Sequence, residues 1–190
     1  MNKAAFRKLH RTIAPIVFVP LLLSALTGIG YRIGRSWFAI PRRAGHLLMA
    51  VHQGEYLGHA LTPVYVLFVG LGLLGAIATG LTLTGWFRGN RSAKAANSLN
   101  FRQIHRRLAP LFFIPLALVA ISGIGYCLGE SWLGLPEGIA DRLMDIHQGS
   151  FLGNRLRPIY VLVIGMGLLS LLITGIEMTG MFRKKRQSSM

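Results

Sequence analysis

The chain has 190 residues, 52% of them hydrophobic, yet 21 Lys+Arg stand against 6 Asp+Glu for a formal charge of +15. That charge alone would suggest a nucleic-acid binder, but only 14% of residues are charged, against roughly 25% in a soluble domain. Uninterrupted apolar stretches such as 13–29 exclude both nucleic acid and intrinsic disorder, and the single cysteine, Cys127, excludes a disulfide framework, a Cys-rich zinc site and Cys-x-x-Cys-His attachment of a haem.

The composition predicts an all-α membrane protein. Crossing a bilayer takes about 20 apolar residues, and four stretches reach that length: 12–33, 61–87, 108–128 and 157–182. Lys3, Arg7, Lys8 and Arg11 before the first would also suit a signal peptide. The stretch is long for one, however, and a near-copy recurs at 101–128, so it is expected to be a retained span. The N-terminal segment, the central connection and the tail hold 14 of the 21 cations, and the two other connections hold 7 with five of the six acids. By the positive-inside rule both termini and the central connection are expected in the cytoplasm.

Residues 6–88 align on 101–183 at a constant offset of 95, without a gap and with 41 of 83 positions identical. FRKLHRTIAPIVFVP matches FRQIHRRLAPLFFIP, and LLMAVHQGEYLG matches RLMDIHQGSFLG. The expected organisation is a first repeat at 1–88, a linker at 89–100, a second repeat at 101–183 and a basic cytoplasmic tail at 184–190. Each repeat has two spans, so the copies share one topology. The expected fold is a four-transmembrane-helix bundle of two tandem two-helix repeats, related by a pseudo-two-fold axis along the membrane normal. Whether 44–59 and 139–154 are interfacial helices or extensions of spans two and four is left open by the sequence.

The offset pairs four of the six histidines, His10 with His105 and His52 with His147, one pair towards each membrane surface. His46 and His59 have no mate and read as loop or interface residues. A structural zinc wants four ligands, and neither level offers a matching acid or thiol pair. Haem needs only two axial ligands from the protein, and two imidazoles across a bundle axis supply them. The pattern predicts two non-covalent b-type haems (haem b, two per chain) with His10 and His105 as axial ligands on the cytoplasmic side and His52 and His147 on the outer side. Arg11 and Arg106, with Arg107, Lys8 and Arg102 near them, are candidate propionate partners, although topology alone explains these cations. Gly28, Gly30, Gly123 and Gly125 admit either a macrocycle or a neighbouring helix. Trp37 and Trp132 read as interface anchors. Gly70-Leu-Gly-Leu-Leu-Gly75 matches a dinucleotide fingerprint but lies inside an apolar span, where it reads as helix packing.

These residues resemble the PepSY-associated transmembrane helix family. The shared pattern is His10-Arg11, Thr27-Gly28, Ser36-Trp37, Val51-His52-Gln53-Gly54 and Thr79-Gly80. It repeats as His105-Arg106, Ser122-Gly123, Ser131-Trp132, Ile146-His147-Gln148-Gly149 and Thr174-Gly175. The resemblance implies a bacterial inner-membrane protein similar to the membrane part of di-haem ferric-siderophore reductases, with the four paired histidines at haem-ligand positions. This chain lacks the large extracytoplasmic PepSY domains of those reductases, having outer connections of about 30 residues.

The expected activity is electron transfer from a cytoplasmic or quinol donor to an extracytoplasmic acceptor, a ferric chelate or siderophore being one candidate. Arg35, Arg42 and Arg43 stand on the outer surface, where lipid head groups are the other candidate partner. A non-redox membrane anchor or assembly subunit, and a haem carrier, are the alternative readings.

Overall fold

The computed structural model describes residues 3–84 and 100–179. Six α-helices follow in order: α1 (Lys3–Trp37), α2 (Arg42–Gln53), α3 (Thr62–Thr84), α4 (Phe101–Leu128), α5 (Glu137–Gln148) and α6 (Gly153–Thr179). The linker at 89–100 except Asn100, the tail at 184–190 and the ends of the second and fourth expected spans lie outside the described residues.

α1, α3, α4 and α6 are long and apolar enough to cross a membrane. This is a multi-pass, all-α membrane protein. Large apolar side chains along the bundle's outside, among them Ile16, Val19, Leu111, Ile121 and Val163, are exposed, as the lipid-facing surface of a spanning helix must be. α1 and α4 start at Lys3 and Phe101, well before the apolar stretches begin. Arg and Lys are good helix formers, so the basic segments extend each helix instead of ending it. Asn100 caps α4 by accepting the Gln103 backbone N–H at 3.0 Å.

α2 and α5 are separate short helices, which answers the question the sequence left open. Each ends at a glycine in the left-handed conformation, Gly54 (φ 77°) and Gly149 (φ 72°). A Cβ there would meet the ring of Tyr65 or Tyr160 respectively, so both backbone and packing demand glycine. One 3-10 turn follows, Glu55–Leu57 or Ser150–Leu152, and the chain then enters the next span. α2 packs on α1 and α5 on α4, each within its own repeat.

α1 touches α3 and α6, and α4 touches the same two helices. The spans therefore form a square with α1 and α4 on one diagonal and α3 and α6 on the other. That is the two-fold arrangement the repeat predicts. Val17 and Leu21 of α1, Tyr65, Val69 and Leu73 of α3 and Ala120 of α4 make the core. Lipid tails are as apolar as leucine, so close backbone approach matters more here than burial. Gly70 lies on Ile124 of α4, and its repeat mate Gly165 lies on Ile29 of α1. Gly72 and Gly167 receive Val17 and Phe112. The Gly70–Gly75 run is therefore interhelical packing within α3.

Candidate functional site

The two-fold brings the repeat-related histidines together at opposite ends of the bundle. The His10 and His105 ring centroids lie 6.5 Å apart with planes at 70°. Those of His52 and His147 lie 6.1 Å apart at 65°. His10 and His105 belong to the diagonal spans α1 and α4, whereas His52 and His147 end the short helices α2 and α5. Along α1, 18 residues separate His10 from Gly28, the residue facing His52. At 1.5 Å per residue that is about 27 Å.

All four rings have the same proton placement, reached by two kinds of bond. Nδ1 of His52 lies 2.9 Å from the Ser24 carbonyl oxygen, and Nδ1 of His147 lies 2.9 Å from that of Val119. A carbonyl only accepts, so Nδ1–H donates and Nε2 keeps its lone pair. Nδ1 of His10 meets Thr79 Oγ1 at 2.9 Å, and Nδ1 of His105 meets Thr174 Oγ1 at 2.9 Å. Each threonine hydroxyl spends its one proton on a carbonyl of its own helix, Gly75 at 2.7 Å and Ser170 at 2.6 Å. The hydroxyl must then accept from Nδ1–H, and Nε2 is again the free atom. A partner on Nδ1 that frees Nε2 is the usual support of a metal-ligating histidine.

Glycines make room for the rings. A Cβ on Gly28 would stand 3.1 Å from His52 Cε1, and one on Gly123 would stand 2.8 Å from His147 Cε1. At the other end, Gly80 and Gly175 lie under His10 and His105, where a Cβ would stand 3.4 Å from Cε1. Gly30 and Gly125 instead receive Leu48 and Leu143, so those two serve helix packing. Burial foremost, with the neighbouring His147 second, holds His52 neutral, its pKa pushed down to about 4 against the pull of the Ser24 carbonyl. Burial likewise lowers His147.

A cavity of about 340 Å³ surrounds the His52–His147 pair. Leu21, Val69, Leu116 and Ala120 are among its apolar walls, with Gln53 and Gln148 beside the histidines. Among the described residues no three His, Cys, Asp or Glu gather into a metal site. Among the described residues, each level thus presents one facing pair of imidazoles.

Arg11 and Arg106 are exposed one residue beyond His10 and His105, and His59 is exposed in the turn before α3. His46, expected as a loop or interface residue, lies on α2 and lines a second pocket with Tyr31, Arg35, Arg42, Gly45 and Met49. Arg32 and Arg157, two of the seven cations counted on the outer side, come near each other: Arg32 lines the cavity, and Arg157 is close enough to repel Arg32.

Comparison with family models, curated proteins and solved structures finds no match for this chain.

Proposed function

We propose that the chain is a di-haem b-type membrane cytochrome that carries electrons from one face of the bilayer to the other. The observation that supports this most is the spacing of the histidine pairs. A metal–imidazole bond is about 2.0 Å, and the centre of a five-membered ring with bonds of about 1.35 Å lies about 1.15 Å from each atom. Two imidazoles on one iron therefore have centroids about 6.3 Å apart. The two pairs stand at 6.5 and 6.1 Å, each with Nε2 unprotonated.

Haem held by two histidines takes up and gives back one electron. The rest falls to the chain. His10 and His105 would hold one haem iron, and His52 and His147 would hold the other at the opposite end. Thr79, Thr174 and the Ser24 and Val119 carbonyls fix the tautomer and raise ligand basicity. Leu21, Val69, Leu116 and Ala120 give the outer pair an apolar wall on the bundle side. The described residues begin at Lys3 and end at Thr179, both towards the His10–His105 end, which the cation count puts in the cytoplasm. With both haems bound, electrons would enter there from a cytoplasmic or quinol donor and leave at the His52–His147 end to an outer acceptor, for which an anionic ferric chelate suits the basic side chains Arg35, Arg42 and Arg43. A bacterial inner membrane and membership of the PepSY-associated family belong to the same proposal.

Protein purified from haem-supplied cells should be red and contain two haems per chain. Its dithionite-reduced minus oxidised spectrum should be that of low-spin b-type haem. Colourless protein from such cells would sink the proposal. A smaller effect separates ligand support from packing. Thr174→Val keeps the side-chain shape and removes the acceptor for His105 Nδ1–H. It should weaken haem retention at that end about 10- to 100-fold, measured by haem transfer to apomyoglobin, and leave the His52–His147 haem in place.

A further inference from the structure

The cavity around His52 and His147 departs from the two-fold in a particular way. The histidines, the glycines under them and the glutamines after them are all matched between repeats. Two cations are not. Arg32 on α1 corresponds to Cys127 on α4, and Arg157 on α6 corresponds to Thr62 on α3. Arg32 donates a hydrogen bond to Gln148 Oε1 and stacks over the Tyr31 ring at 5.7 Å. The matching corner of the cavity is lined by Cys127, Gln53 and Thr62. One edge is thus lined by the Arg32 guanidinium, with that of Arg157 within electrostatic range of it, and the opposite edge by a thiol and a hydroxyl. Glu130, the counterpart of Arg35, also lines the cavity one turn beyond Cys127. The charge difference between the edges is the larger for it.

The guanidinium pair is incomplete by itself. Nε of Arg32 and Nε of Arg157 are both buried without a hydrogen-bond partner. A buried N–H left unpaired is costly, more so on a charged group, and the two cations also repel each other. Asp145 lies within electrostatic range of Arg157, yet the Nε atoms remain unmet. An anion at this edge would satisfy both. A ligand matched to this cavity would be two-fold at its centre, between the histidines, and one-sided in charge at its rim.

A b-type haem has that form, with both propionates on one edge and none on the other. Resting on the haem reading of the His52–His147 pair, we infer that Arg32 and Arg157 bind the propionates of that haem and set its orientation. Its charged edge faces α1 and α6, and its uncharged edge faces Cys127 and Thr62 on α4 and α3. The repeat places the iron, and the two unmatched arginines choose between orientations that the histidines alone leave equivalent.

The test uses the full chain carrying His10→Ala and His105→Ala, so that only this site remains. Stripped of haem, it is titrated with haem b and with haem b dimethyl ester, which keeps the iron and both axial positions but has no propionate charge. The unmutated arginine pair should favour haem b over the diester by about ten-fold or more. R32Q/R157Q should bring the two affinities within about three-fold while still binding the diester. Equal affinities before mutation, or a preference that survives R32Q/R157Q, overturns the inference and leaves the haem reading intact. Failure to bind either porphyrin overturns both. A transplant, R32C/R157T/T62R/C127R, guards against misfolding of the double variant. It should regain the preference for haem b, which arginines acting only as packing would not restore.

Discussion

Replacing His52 by alanine is expected to halve the low-spin haem content of the purified protein, from two haems per chain to one. The same should follow for His147→Ala, because a low-spin iron would need both imidazoles and His52 and His147 are the only histidines among the described residues that line the cavity. The surviving haem should keep its spectrum and potential, since His10 and His105 are held by Thr79 and Thr174 on other helices. About 27 Å of α1 also lies between the ends. His10→Ala or His105→Ala should show the converse, with the outer haem retained. Haem extraction and the amplitude of the low-spin band measure all four variants. Four variants that each lose both haems, or none, would break the assignment of one pair to each haem. The low-spin loss is expected to be nearly complete even where porphyrin is retained, because an iron left with one imidazole would be five-coordinate and high-spin, as on the single proximal histidine of globins.

The pairing of the histidines is legible in the amino-acid sequence, and the reason is the repeat. An ungapped offset of 95 converts linear positions into facing positions once the topology is parallel, so His10–His105 and His52–His147 are pairs by symmetry. The four spans were legible because twenty apolar residues have few other uses. The helices that carry the outer pair were harder to read. α2 and α5 are set apart from α3 and α6 by Gly54 and Gly149, whose left-handed conformation and contact with Tyr65 and Tyr160 are tertiary facts. Tautomers were equally hidden. Val119 and Ser24 differ in side chain, yet both serve through the backbone carbonyl, so no residue type signals the role. Arg32 and Arg157 were passed over because their meeting depends on α1 packing beside α6, across repeats. A residue-by-residue check of where the repeats differ in charge would have found both.

The second large effect is graded, and it comes from the glycines. An alanine Cβ at Gly123 would stand 2.8 Å from both Cε1 and Nδ1 of His147, closer than carbon atoms pack. At Gly28 the corresponding distances from His52 are 3.1 and 3.2 Å, and at Gly80 and Gly175 the nearest ring atom is 3.4 Å away, an ordinary contact. His147 cannot yield easily, since moving its ring gives up the Nδ1–H bond to Val119 and shifts Nε2 from its axial position. Gly123→Ala is therefore expected to cost most of the outer haem and leave the inner one. Gly28→Ala should weaken outer haem binding several-fold, and Gly80→Ala and Gly175→Ala should keep both haems. In those last two the helix gains the usual alanine preference of about 0.5–1 kcal/mol, so their melting temperatures in detergent should hold or rise. The order matters more than any single value. If the glycines served only helix packing, haem content would not follow the distance to the histidine rings. A Gly123→Ala protein with two full haems would show that the ring position is not what Gly123 protects.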